Sequence, residues 1–179
     1  MDVFECIQKR YTYRGAYLDT PVPREHLEKI IKAGLAAPSA NNRQTTSLVG
    51  IDDRRICNAI TELVQKNGFR GKAPPAGICV LTQPIPVIGN ICLNIQDYAA
   101  AMENMLLAIT ALGYISCWIE GRIIQSTETQ MQIAKLLNAP DEYTVVGFLP
   151  IGVPESEGKR PQYKPFHERA WINNYGNNK

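Results

Sequence analysis

Residues 97–121 read DYAAAMENMLLAITALGYISCWIEG. Over 97–112 apolar residues recur at helical spacing and extend most of the way round the helix, which places it inside the domain rather than on its surface. Gly113 ends it. Residues 114–119, YISCWI, then read as a strand. The most apolar part, 105–119, is shorter than the ~20 residues needed to span a bilayer and contains Gly113, so it reads as a buried helix running into a strand.

Working outward, Asp2 caps a short helix with apolar positions Val3, Phe4 and Ile7, ending near Arg10. A second helix over 24–37 carries Leu27, Ile30, Ile31 and Leu35 on one face and stops before Pro38. TSLVGI, GICVLT and TVVGFLPIGV read as further strands. Asp52 or Asp53 caps a helix striped by Ile56, Ile60, Leu63 and Val64, and Ser126 caps one running through Leu137. The order is mixed α+β.

The 179 residues fit one domain with an arm, divided here into 1–155 and 156–179. A net charge of +2 gives no reason to invoke nucleic acid or an anionic membrane. The acidic start MDVFECIQKR is the reverse of a secretory signal, and the five scattered cysteines form no Cys-x-x-Cys pair; both favour a cytoplasmic setting. Most of the cysteines read as buried and inert, with Cys117, beside Trp118, kept as a functional candidate. The polar arm still carries Tyr163, Phe166, Trp171 and Tyr175, which need burial on a partner subunit or on the chain's own domain.

The sequence contains no Gly-x-Gly-x-x-Gly, Walker loop, Gly-x-Ser-x-Gly elbow or paired-His metal motif, and His26 and His167 lack a local orienting partner. Polar clusters stand instead at element ends: KRYTYR at 9–14, PSANNRQ at 38–44, WIEGR at 118–122 and GKRP at 158–161. In an extended 9–14 segment Arg10, Thr12 and Arg14 point one way while Tyr11 and Tyr13 point the other. Arginine meets phosphate bidentately, so Arg10 and Thr12 with Lys159 or Arg160 suit a terminal phosphate. The remaining clusters suit a planar ring with a polar edge. The residues by themselves lead to an anionic planar cofactor.

In this order the motifs resemble the FMN-dependent nitroreductase family over nearly the whole chain. The resemblance implies a mainly antiparallel four- or five-stranded sheet surrounded by helices, assembled as an intertwined homodimer whose C-terminal arm packs on the partner. It implies FMN as cofactor and NADH or NADPH as co-substrate. By the resemblance Arg10, Tyr11 and Thr12 line the phosphate and ribityl chain, Arg14 lies near N1 and O2 of the ring, and Lys159 or Arg160 gives a late phosphate contact. Pro38, Ser39, Asn42 and Gln44 match a flavin loop supplied by the opposite subunit. Ile119, Glu120 and Gly121 match the turn whose backbone faces flavin N5, with Glu120 and Gly121 as the catalytic pair.

The implied activity is ping-pong hydride transfer through flavin N5 to a small organic acceptor such as a nitroaromatic, quinone or flavin. Related chemistry, dehydrogenation or dehalogenation, and a non-catalytic flavin-binding dimer are the alternatives, and no metal, membrane or nucleic acid is implied. The chain departs from the family where Gln44-Thr45-Thr46 stands for Gln-Pro-Trp and Thr12 for serine, and it lacks much of the helical excursion that covers the substrate site.

Overall fold

A computed structural model of the chain describes residues 1–177. In chain order it contains α1 (Val3–Lys9), α2 (Arg24–Leu35), β1 (Thr46–Ile51), α3 (Arg54–Lys66), β2 (Ala76–Thr82), β3 (Pro86–Ile88), β4 (Ile91–Cys92), α4 (Asn94–Ala111), α5 (Gly121–Ile124), α6 (Thr127–Leu136) and β5 (Thr144–Ile151). The caps are those the sequence calls for. Asp2 accepts from the Glu5 N–H, Asp53 from Arg55 and Ser126 from Thr129.

The main sheet has the antiparallel order β1-β2-β5, and its central strand β2 is buried along its whole length. Because side chains alternate across a strand, Ile78 and Val80 enter one core and Cys79 and Leu81 the other. The first core packs α2 and α4 on the sheet through Ile30, Met102, Met105 and Ile109; the second packs α3, α5 and α6 through Ile60, Val64, Ile123 and Ile133. The central helix expected at 97–112 is α4, extended by three residues at its start. Its buried residues Tyr98, Met102, Met105 and Ile109 confirm the interior placement. Between β2 and α4 the chain forms a small hairpin, β3-β4, which is not among the strands read from the sequence.

The strand expected at 114–119 lies beside β5 but forms separate bridges instead of a continuous ladder. Ile119 and Phe148 exchange N–H···O bonds of 3.1 and 2.8 Å, and the Ile115 N–H reaches the Gly152 carbonyl at 3.0 Å. That register sets Cys117 opposite Pro150, whose ring nitrogen has no hydrogen to donate. The ladder is therefore interrupted between its two bonded ends. Ser116 also bridges Thr12 in parallel, so the 9–14 segment continues the sheet past this fourth position.

Candidate functional site

The end of α1 delivers the chain into KRYTYR, which is pinned to the sheet where the Tyr13 N–H donates to the Ser116 carbonyl at 2.9 Å. Tyr13 is buried, donates its hydroxyl to Ala16 O at 2.6 Å and meets Tyr17 edge-on. Thr12 and Arg14 are exposed on the opposite side, as the alternation predicts. Tyr11 departs from it. Its ring lies under Arg160, 5.2 Å from the guanidinium carbon, and its hydroxyl accepts from the Gly158 N–H at 3.3 Å. The approach requires glycine at 158, since a Cβ there would stand 2.6 Å from the Tyr11 ring.

Tyr11 thus binds the start of the arm to the start of the chain. The result is a cavity of about 630 Å³ lined by Arg10, Thr12, Arg14, Lys159 and Arg160. Among the described residues no carboxylate lines it; Arg10 Nε lies 3.3 Å from Glu103 Oε1, an ion pair at that nitrogen. The cluster inferred for a phosphate is assembled.

Arg14 also lines a second cavity, of about 910 Å³, with Cys117, Trp118, Ile119, Glu120 and Gly121. Burial pushes the Cys117 thiol up while the neighbouring Arg14 opposes it. Cys6, Cys57 and Cys79 are buried in the helices and sheet, and burial takes the Cys57 thiol up to about 12. Glu120 is held at both oxygens: Tyr98 donates its hydroxyl to Oε1 at 2.7 Å and Trp118 its Nε1–H to Oε2 at 2.8 Å. Burial first, then Glu120, raises the Tyr98 phenol pKa. At Gly121 a Cβ would meet nothing within 4 Å, and the backbone there is not left-handed.

The 38–44 loop lies elsewhere: neither Pro38, Ser39, Asn42 nor Gln44 lines these two cavities. Asn41, Asn42 and Gln44 all have positive φ, near 50°, a conformation that costs energy and persists only where surroundings enforce it. Here Asp97 enforces it, accepting from the Ala40 N–H at 2.9 Å and the Thr45 hydroxyl at 2.8 Å, while Ser39 Oγ accepts from the Gln44 N–H at 3.0 Å.

Sequence reasoning missed Tyr98 as a partner of Glu120, Asp97 as the loop's anchor, and Phe69 and Arg70 on the second cavity, and it placed Arg122 in the WIEGR cluster without assigning it a role. Trp118 was legible in part, because two residues along an extended segment share a face with Glu120. Tyr98 carried no such signal.

Helices lie on both faces of an antiparallel sheet, and Arg14 lines both the cationic cavity and the cavity edged by a backbone turn; the chain is an α+β protein with a cationic cleft beside that turn. The chain belongs to the nitroreductase family, whose family model matches residues 7–83 and 93–153. It is 30% identical over 157 residues, 86% of this chain and 87% of the other, to an Archaeoglobus fulgidus protein provisionally named an NADH dehydrogenase/NAD(P)H nitroreductase. Its fold is similar to that of an FMN-dependent nitroreductase of Clostridium difficile R20291, with TM-score 0.79, 27% identity and coverage of 96% and 99% of the two chains. A Parabacteroides distasonis structure, also provisionally named as an NADH dehydrogenase/NAD(P)H nitroreductase, gives TM-score 0.80 and 25% identity over 97% and 98%.

Proposed function

We propose that this chain is an FMN-dependent NAD(P)H oxidoreductase that passes hydride, by a ping-pong route, to a small organic acceptor such as a nitroaromatic, a quinone or a flavin. The observation that carries the reading is Arg14, which lines both the cationic cavity and the one edged by Ile119–Gly121. A ligand with a phosphate tail and a broad ring needs that continuity.

The donor set fits FMN. Arg10, Thr12, Lys159 and Arg160 are the groups to hold the phosphate and ribityl hydroxyls, with Tyr11 keeping Arg160 in place. Gly121 supplies a second argument, since neither backbone conformation nor the chain's own packing requires a glycine there. A flavin seated against this exposed turn is the role the reading gives to that open space. When bound, FMN supplies a two-electron centre at N5.

The chain's residues then contribute position and charge more than acid–base chemistry. Arg14 offers a fixed cation to the edge of the ring that gains negative charge on reduction. Tyr98 and Trp118 hold the Glu120 carboxylate and so fix the backbone of the turn beside it. Ser39, Asn42 and Gln44 reach the site from a second copy in a homodimer, which accounts for a loop that is ordered by Asp97 yet stands apart from its own chain's cavities.

The test is the visible spectrum of the purified protein and identification of the chromophore released on denaturation. FMN at about one per chain, bleached anaerobically by NADH or NADPH, is the expected result. A protein that neither carries nor takes up FMN would overturn the reading.

A further inference from the structure

Arg70 and Arg122 line the larger cavity beside Arg14 and have no part in holding FMN in the assignment above. Arg122 is exposed yet tethered. The Asn67 amide donates to the Arg122 carbonyl at 2.8 Å and to Thr129 Oγ1 at 2.8 Å; Arg122 Nη1 donates back to Asn67 O at 3.0 Å, and Gln125 Nε2 reaches the same oxygen at 2.9 Å. This bracket joins the end of α3 to α5 and occupies one guanidinium nitrogen. The others are left over.

Gly68, with φ +88°, makes the turn that brings the bracket together, and a Cβ there would lie 3.4 Å from Arg122 Nη1. Two residues on, Arg70 makes no hydrogen bond or ion pair among the described residues. Among the described residues the only carboxylate lining the cavity is Glu120, and both its oxygens already accept from Tyr98 and Trp118. Three arginines therefore face one committed carboxylate. Arg14 serves the cofactor, which leaves two cations, one of them pre-set in position, for an anion that arrives and departs.

We propose that Arg70 and Arg122 form a subsite for the phosphate groups of the nicotinamide dinucleotide. The proposal rests on reading this site as an NAD(P)H oxidoreductase. The pair grips the dinucleotide by its phosphates while the dihydronicotinamide reaches the flavin, so these residues set the efficiency of reduction by the natural co-substrate without touching the reacting atoms.

The experiment uses the FMN-loaded full chain with Arg70→Gln, Arg122→Gln and the double variant. Anaerobic stopped-flow reduction is followed with NADPH, NADH and N-benzyl-1,4-dihydronicotinamide, which has the reacting ring and no phosphate. Each single variant is expected to lose about tenfold or more in second-order rate with the dinucleotides, the range for a lost charge-assisted bond. The benzyl compound, as internal reference, is expected to stay within about twofold. A loss confined to NADPH assigns the 2′-phosphate, and an equal loss with NADH assigns the diphosphate; both support the subsite. Dinucleotide rates that do not change, or all three reagents slowing together, overturn it.

Should none of the three reagents reduce the unaltered protein, the oxidoreductase reading fails, and the subsite is judged by calorimetry with 2′-phospho-ADP-ribose. Binding that the double variant abolishes sustains the subsite; binding that is absent or unchanged removes it.

Discussion

Gly121 is a glycine that its own chain does not need. Alanine there meets open space and an ordinary backbone conformation, so Gly121→Ala is expected to leave the melting temperature of the FMN-free protein within about 2 °C while weakening FMN binding about tenfold or more. Calorimetry on the apoprotein and flavin titration separate the two effects, and unchanged flavin affinity would remove Gly121 from the cofactor's surface. Arg14 makes a different prediction. A cation at the reduced ring is worth about 1.5–3 kcal/mol as a charge-assisted bond, so Arg14→Ala should lower the two-electron potential of bound FMN by about 30–65 mV. A redox titration without a shift would deny it that position. Tyr98→Phe and Trp118→Phe each remove one donor from Glu120, and both should shift the same potential more than they change flavin affinity, because the carboxylate they hold is the side chain of the turn residue itself.

Among the elements, the central helix, the three β-strands of the main sheet and the three side-chain caps were legible because each rests on local periodicity or a local hydrogen bond. The interrupted fourth strand was not. Its defect comes from Pro150 on a neighbouring strand, and only the register that sets Cys117 opposite it reveals the missing donor. The cationic cavity was readable as two of the clusters at element ends, KRYTYR and GKRP, whereas the meeting of Arg70 with Arg122 on one cavity wall depends on how α3 meets α5, a long-range fact. Asp97 shows the same limit: it read as the first residue of a helix, but it is a buried carboxylate that anchors the 38–44 loop 52–57 residues away in sequence. Asp97→Ala leaves the Ala40 N–H and Thr45 hydroxyl without their acceptor and is expected to cost about 2–4 kcal/mol, read from the urea midpoint at constant m. Since three residues of that loop hold positive φ, the loss should fall hardest on the loop, visible as faster amide exchange at 40–45. A uniform change across the protein would indicate general unfolding instead.

At the scale of the whole molecule, the described structure leaves apolar surface where a single chain has no use for it. Phe4 on α1 is 74% exposed, and along the arm Phe166 is 70% and Tyr175 88% exposed, with Tyr163 and Ile172 also open. Among the described residues no helix is long and apolar enough to cross a membrane, so these residues do not mark a membrane-spanning helix. The homodimer proposed above would meet two separate needs at once: a second copy would cover the aromatics and would bring Ser39, Asn42 and Gln44 to a site they do not reach in their own chain. The arm itself has two parts with different work. Its start supplies Lys159 and Arg160 to the cationic cavity, with Arg160 over the Tyr11 ring, while Phe166, Ile172 and Tyr175 further along stand exposed and line neither cavity. Deleting residues 164–179 therefore keeps the cations and removes the contacts. The expected outcome is a shift toward monomer in sedimentation velocity together with weaker FMN binding, the second following from the first because the partner's loop is lost. Adding protein should then restore flavin affinity along with the dimer, as mass action requires when the site is completed by association. A truncated chain that stays dimeric and holds FMN unchanged would show that α1 and the body of the domain carry the assembly without the arm, whereas a monomer with full flavin affinity would show that one chain completes its own site.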